Sequence, residues 1–297
     1  MFLIKLLIKS LVNVFFFIAT IIISCLLWLN LGDKRSSFKF LRYALVNAFY
    51  FQRFLRFPNL KNPDSLNEYI NSRKFIDISD VIEVSDKIKV KNLVADRVRV
   101  LRTLEVYNSW NDIKFNNEGV FKVNNDSGGV YIPKVRKSRF MEFELLIRSV
   151  LGYGLWVGEW PYNKIEAKFF KEECLDNLDS LADYKFYCVR GKVIGCHYIY
   201  DRHNEEDTKE LWIDPSGIPY EYSVHKKFMV GSRESFRLPH VWDSMIDISE
   251  KLSVKYEFVR CDLYDNLGDV IFGELTFWPQ AGLYKGKDVD KIWELIK

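Results

Sequence analysis

The sequence predicts an α+β domain behind an N-terminal apolar span, and three observations carry that expectation. Two hairpin patterns rich in β-branched and aromatic residues occupy 184–200 and 258–278, four stretches carry apolar residues at three-to-four spacing, and an uncharged apolar run precedes them all. With 297 residues, 48% hydrophobic and 16% aromatic, the chain can bury a sizeable core in one large or two small domains. A net charge of +3 leaves Lys and Arg nearly balanced by Asp and Glu, which argues against a nucleic-acid partner. No repeat or low-complexity linker breaks the chain.

From Ser10 to Gly32 there is no charged residue, and Leu11 to Leu29 reaches the roughly 20 residues that span hydrocarbon as a helix. A secretory signal would have an apolar core of about 7 to 15 residues followed by small residues, and neither holds. Residues 1–32 are therefore expected to be an uncleaved single-pass membrane anchor. Lys5 and Lys9 precede the span, whereas Lys34, Arg35, Lys39 and Arg42 follow it. That excess places the remainder on the cytoplasmic side of the cell (inner) membrane. Residues 33–57 mix Phe38, Phe40, Tyr43, Phe49, Tyr50, Phe51, Phe54 and Phe57 with Lys39, Arg42, Arg53 and Arg56. Such a segment suits the headgroup region, although a helix packed into the domain core would have the same composition. Pro58 and Pro63 then mark entry into a compact two-lobed unit over 58–297.

Within that unit, helices are expected over 65–73, 89–104, 140–151 and 241–252. Asp64 or Ser65 followed by Glu68 reads as a capping box. Gly119 to Val123 reads as a strand running into Asn124-Asn125-Asp126-Ser127-Gly128-Gly129. Its glycines would let backbone amides turn toward a phosphate, with Lys122 supplying charge; an ordinary hairpin with a polar turn has the same pattern. Tyr184 to Val189 and Val193 to Tyr200 flank the short turn Arg190-Gly191-Lys192 and form the clearest hairpin. Lys185 near its start is a phosphate or substrate contact, or a simple flanking charge, and Asp183 can pair with it. Cys25, Cys174, Cys188, Cys196 and Cys261 lack paired zinc spacing and read as buried thiols in a reducing compartment. His197, His203, His225 and His240 lack ligand spacing and read as structural, with His225 or His240 also able to line an acceptor cleft. Trp156, Trp160, Trp212, Trp242 and Trp278 offer flat faces for sugars, or core packing.

The last hairpin carries the chemistry. In an extended strand Arg260 and Asp262 share one face while Val259, Cys261 and Leu263 share the other, and the same parity groups Glu274 with Thr276. A reversal at Asp265-Asn266-Leu267-Gly268-Asp269 would bring both pairs together. Converging carboxylates on rigid strands suit Mg²⁺, which takes hard oxygen ligands and shares them with phosphates. An internal salt bridge from Arg260 to Asp262 or Glu274 fits the same residues.

These residues resemble the end of an ATP-grasp domain of the teichuronopeptide-biosynthesis (TupA-like) branch. ATP-grasp enzymes end in Arg-x-Asp and Glu-x-Asn-x-x-Pro-x-x-Gly; here stand Arg260-Cys261-Asp262 and Glu274-Leu275-Thr276-Phe277-Trp278-Pro279-Gln280-Ala281-Gly282, with the Thr that the branch generally uses. Blocks at 60–68, 85–87, 121–129, 158–162, 172–173 and 183–186 match in the same order, so the resemblance covers roughly 58–285. It implies an ATP-grasp fold binding nucleotide between two lobes, with ATP and Mg²⁺ as cofactors. By the same resemblance Asp262, Glu274 and Thr276 would hold the metal and Arg260 and Lys185 would face the reacting groups. Lys87, Lys122, Ser127, Gly128 and Gly129 would hold phosphates, and Glu172 and Glu173 would stand at the hinge strand beside adenine. The branch often has Arg where Lys91 stands. It usually has His-Gly after Asn124, where this chain has Asn125-Asp126; an acid there opposes phosphate binding unless Asp126 caps the turn or points away. The implied activity is a membrane-anchored ATP-dependent carboxylate–amine ligase. Its partners would be a polysaccharide or lipid-linked sugar acceptor, an amino donor such as an amino acid, and the membrane. A glycan kinase and a non-catalytic scaffold are the alternatives.

Overall fold

The computed structural model describes residues 35–297 except 136, 152–153, 155–156, 176–180 and 203–206. The predicted span at 11–29 lies outside them, as do Cys25, Trp156 and His203, and no described helix is long and apolar enough to cross a membrane. The described helices are α1 (Arg35–Phe54), α2 (Leu66–Arg73), α3 (Val81–Ser85), α4 (Lys89–Val94), α5 (Arg139–Leu151), α6 (Trp242–Ser253) and α7 (Val289–Ile296). The strands are β1 (Arg99–Val100), β2 (Thr103–Tyr107), β3 (Gly119–Val123), β4 (Val130–Tyr131), β5 (Phe169–Glu173) and β6 (Asp183–Val189). They continue with β7 (Lys192–Tyr200), β8 (Lys209–Ile213), β9 (Pro219–Tyr220), β10 (Met229–Val230), β11 (Phe258–Asn266) and β12 (Asp269–Thr276).

Two sheets result. The larger runs β1-β12-β11-β6-β7-β8-β10, with β9 also on β8, and the smaller runs β2-β5-β3-β4. Both predicted hairpins form by two-residue turns whose central residues have positive φ, Arg190 and Gly191 at 50° and 74°, Leu267 and Gly268 at 57° and 96°. That turn geometry matches the twist of the strands it joins. Asp265 tightens the second turn by accepting the Gly268 N–H (2.8 Å). At Gly195 an added Cβ would lie 2.3 Å from the Trp212 ring, so the absent side chain lets the indole lie flat on β7. Trp212, Trp242 and Trp278 all lie in the main core, with Cys188, Cys196 and Cys261 beside them. The smaller sheet has its own core of Tyr107, Phe121, Val123, Tyr131, Leu145 and Phe169 under α5.

The expected helix over 89–104 is a correction: α4 ends at Val94 and β1 and β2 follow. The three-to-four spacing came from Val90, Val94, Val98 and Leu101, all buried, but the last two follow the helix end. Beyond Val94 the β-branched Val98, Val100, Thr103 and Val106 fit a pleated surface, and β1 gains parallel pairing with β12 through Arg99 and Ile271.

In α1, Leu45, Val46 and Tyr50 are buried while Tyr43 is exposed, so one face of this helix packs on the domain. Arg42 donates to the Lys74 carbonyl (2.8 Å) and lies over the Trp160 ring. The start of α2 is fixed as its sequence suggests: Ser65 accepts the Glu68 N–H (3.3 Å). Glu68 reaches back past the cap, accepting the N–H groups of Asp64 (2.9 Å) and Asn59 (3.1 Å).

One side of α2 carries a polar stripe, Asn67, Asn71 and Lys74, that clasps the turn after β12. Asn67 exchanges two bonds with the Tyr284 backbone (2.8 and 3.0 Å), and Asn71 donates to the Gly282 carbonyl (2.8 Å). The buried Lys74 ammonium donates to Asn71 Oδ1 (2.8 Å) and to the carbonyls of Val157 (2.5 Å) and Ala281 (2.9 Å). Gln280, Ala281 and Gly282 are all left-handed (φ 50°, 51° and 65°), and this clasp holds them there. Lys74→Met strands three buried acceptors and should lower unfolding free energy by at least about 3 kcal/mol in urea titration, whereas Lys61→Met, on the surface, should leave it unchanged.

Candidate active site

Strand parity decides what the smaller sheet offers. Lys122 on β3 lies opposite Phe170 on β5, so Lys122 and Glu172 share the face turned away from that lobe's core. There Glu172 is buried between two ammonium groups, forming ion pairs with both Lys122 and Lys91. Burial alone would raise the Glu172 carboxyl; Lys122 and Lys91 more than reverse this and hold it below the usual carboxylate range. Lys91 also donates to the Leu101 carbonyl (2.9 Å) and Thr103 Oγ1 (3.1 Å). Glu173, one residue on, points to the opposite face and pairs with Arg102 (2.8 Å). The structure therefore separates Glu173 from Glu172.

The loop 124–129 is built around its polar residues. Asn124 accepts the Lys168 N–H (2.7 Å) and donates to Asp86 (3.2 Å) and the Glu166 carbonyl (3.1 Å). Asp126 accepts the Gly128 N–H (3.3 Å) and is neutralised by Arg148 (2.9 Å). It thus caps the turn, which meets the condition its sequence position imposed. A Cβ on Gly128 would sit 2.8 Å from the Arg148 guanidinium, so this glycine admits the neutralising cation. Ser127 is exposed at the loop's tip. Lys87 donates to the Gly128 carbonyl (3.0 Å). Burial is the main cause lowering its pKa, and charges of both lobes act on it: Glu274, Lys122, Asp126 and Glu172.

On the larger sheet one row of side chains crosses four strands in register. Glu274 faces Asp262, Asp262 faces Lys185, and Lys185 faces His197. Beside it Thr276 faces Arg260, which faces Tyr187. Arg260 grips Asp262 with both arms, Nε to Oδ1 (2.6 Å) and Nη2 to Oδ2 (2.7 Å). Its Nη2 also approaches Glu274 Oε1 (3.4 Å) and Thr276 Oγ1 (3.3 Å), and the Thr276 hydroxyl donates to Glu274 Oε1 (2.7 Å). Lys185 donates to Asp262 Oδ2 (2.7 Å) and stands 3.5 Å from Asp183. Burial would raise Asp262, but Arg260 and then Lys185 hold it below the carboxylate range. Burial would lower Lys185, and Asp183 and Asp262 raise it instead. Both the expected convergence and the internal salt bridge are therefore present at once.

Asp262, Glu274 and Thr276 offer only hard oxygens, a donor set that fits Mg²⁺. Glu274 makes its bonds through Oε1 and is one-third exposed, leaving an oxygen able to meet a cation. Among the described residues no three or more His, Cys, Asp or Glu side chains gather as a metal cage. A cation here would complete its shell with phosphate and water, as Mg²⁺ commonly does.

Three further groups have environments that the sequence left open. His197 bonds Glu210 (2.7 Å), and Glu210 accepts the N–H groups of Val224 (2.9 Å) and His225 (3.0 Å), tying the following loop to the sheet. His225 is half-buried and stacks on Phe228, while Trp160 is partly buried under Arg42. The third group is Glu159, buried in the loop that Lys74 anchors. Burial raises its carboxyl to about 8, Lys74 opposing and Asp126 and Glu274 assisting. A carboxyl raised on folding stabilises the protein below its ordinary value near 4.5, and this contribution disappears as pH rises through about 8. Glu159→Gln should accordingly flatten the decline of the urea midpoint over that window, an outcome read by titrations at successive pH values.

No curated protein matches this sequence. The family model described as TupA-like ATPgrasp matches residues 68–294. Among solved structures the chain is similar to the ATP-grasp ligase PsnB complexed with a phosphomimetic variant of its minimal precursor, Mg and ADP (13% identity, 74% of this chain, 61% of that one, TM-score 0.38). It is also similar to D-alanine–D-alanine ligase from Helicobacter pylori (15%, 72% and 60%, 0.37) and to the macrocyclase MdnC bound with precursor peptide MdnA from Microcystis aeruginosa (11%, 89% and 72%, 0.33). The chain spans about three fifths of the length of the first two. With its family model covering most of the sequence, including the strands that carry Arg260, Asp262 and Glu274, this chain belongs to the TupA-like ATP-grasp family.

Proposed function

We propose that this protein is an ATP- and Mg²⁺-dependent carboxylate–amine ligase that modifies a cell-surface polysaccharide or its lipid-linked precursor. The observation that carries the reading is the row Glu274, Asp262, Lys185 with Arg260 beside it, with the Lys122 and Glu172 face on the smaller sheet. ATP would bind between these faces. Asp262 and Glu274, with Thr276, would hold Mg²⁺, which when bound offsets the charge of the phosphates. Lys122 and Lys87 would meet phosphate oxygens, and the Gly128 and Gly129 amides would follow the same chain of phosphates. Lys185 and Arg260, fixed by their carboxylate partners, would present cations to charge that develops as phosphate passes to the acceptor carboxylate. The amino donor would then displace phosphate, forming an amide. Because Lys185 and Arg260 are held in place beforehand, little reorganisation is needed when that charge appears.

The domain arrangement proposed with this activity is a membrane anchor at 1–32, a juxtamembrane segment at 33–57 and a catalytic unit at 58–297 on the cytoplasmic side. Its support is the uncharged run from Ser10 to Gly32 and the basic excess after it. A non-catalytic scaffold would be favoured by the Asn125-Asp126 departure from the family's loop, where Arg148 neutralises Asp126.

Lys185→Gln should reduce phosphate release by about 100-fold, the usual scale for losing one preorganised charge, while leaving the fold intact. Product analysis tests the reaction type: inorganic phosphate together with an amide supports the ligase, and phosphate retained on a sugar hydroxyl would establish a kinase instead.

A further inference from the structure

One face of α5 is left apolar and open. Phe140 (74% exposed), Phe143 (53%), Ile147 (40%) and Val150 (74%) follow one another at spacings of three, four and three, which lines them along one side of the helix. Val135 (65%) stands just ahead of them. The opposite side holds Leu145 and Ser149, both buried, with Leu145 in the core of the smaller sheet. Packing within the domain therefore accounts for one face of α5 and not the other.

The charges around this stripe point to its occupant. Lys134, Lys137 and Arg139 are exposed beside it and form no ion pair among the described residues. The acids on the same helix are already engaged: Glu144 accepts from Arg148 (2.8 Å) and Glu142 from the Tyr131 hydroxyl (3.3 Å). The surface therefore combines aromatic and branched apolar groups with unmatched cations. An amphipathic helix of that composition suits the boundary of an anionic bilayer, where its apolar side enters the acyl region and its cations meet headgroups. The apolar run from Ser10 to Gly32 is the feature of this chain that would bring such a surface within reach.

We propose that the outer face of α5 rests on an anionic lipid surface, with Phe140, Phe143, Ile147 and Val150 in the interface and Lys134, Lys137 and Arg139 against lipid phosphates. This deepens the membrane placement proposed above and is independent of the catalytic reading. It would place α5 between the bilayer and the smaller sheet, with the Lys122 and Glu172 face on the side of that sheet away from the lipid.

The test uses the full chain in vesicles, carrying the photocrosslinker p-benzoylphenylalanine in place of Phe143 or, as a control, of Leu267 at the exposed tip of the last hairpin. Lipid adducts at 143 should exceed those at 267 in phosphatidylglycerol vesicles and fall in phosphatidylcholine vesicles. Lys134→Gln, Lys137→Gln and Arg139→Gln should each reduce the yield by about fivefold, since a cation near an anionic surface contributes about 1 kcal/mol. Equal yields at 143 and 267 while the chain stays vesicle-bound would overturn the proposal and leave the N-terminal anchor standing. An adduct at 143 with a second chain, or with the chain's own N-terminal segment, would overturn it and name that occupant instead.

Discussion

A carboxylate inside a sheet is tolerated only when cations and hydrogen bonds replace the water it has lost, and the architecture of the larger lobe turns on how Asp262 meets that demand. Two cations from two strands close on it, Arg260 from its own strand by both arms and Lys185 from β6. A one-residue slip of β11 against β6 would turn Asp262 away from Lys185, leaving Asp262 with Arg260 alone and Lys185 with Asp183 alone. The register that satisfies Asp262 also sets Glu274 opposite it and Thr276 opposite Arg260. Electrostatic necessity and site geometry are thus one constraint.

The clasp around Lys74 plays the corresponding part at the edge of the site. The turn after β12 runs through three left-handed residues, and α2 holds it by side chains from more than two hundred residues earlier in the chain. The same ammonium anchors Val157, two residues before Glu159. A helix, the terminal motif and the loop of the buried carboxyl are therefore joined at one point. Because Lys74 donates to three acceptors, its cost of burial is offset by bonds that also restrain the turn after β12.

Much of this was legible in the sequence because it is local. Alternation along 258–278 placed Arg260 with Asp262 and Glu274 with Thr276, and the turn residues of both hairpins marked their reversals. The same period of two along β5 sets Glu172 and Glu173 on opposite faces. The helix expected over 89–104 is too long because Val98 and Leu101 keep the helical spacing beyond the end of α4. What stayed hidden is long-range. Asn67, Asn71 and Lys74 show a helical spacing, but nothing local says that they meet residues 281–284, and a lone Glu159 gives no sign of its burial. Likewise His197 and Glu210 pair only because β7 and β8 are neighbours.

In the proposed function the carboxylates of β11 and β12 and the cations facing them form a site for Mg²⁺ and ATP. Calorimetry of the full chain with Mg·ATP tests it most directly, comparing wild type with Asp262→Asn/Glu274→Gln and with Glu173→Gln, whose side chain faces Arg102. Saturable binding is expected of the wild type and of Glu173→Gln, weakened at least about tenfold in the double variant, a loss of about 1.4 kcal/mol or more. Binding of equal strength in the double variant, or none in the wild type, would contradict it.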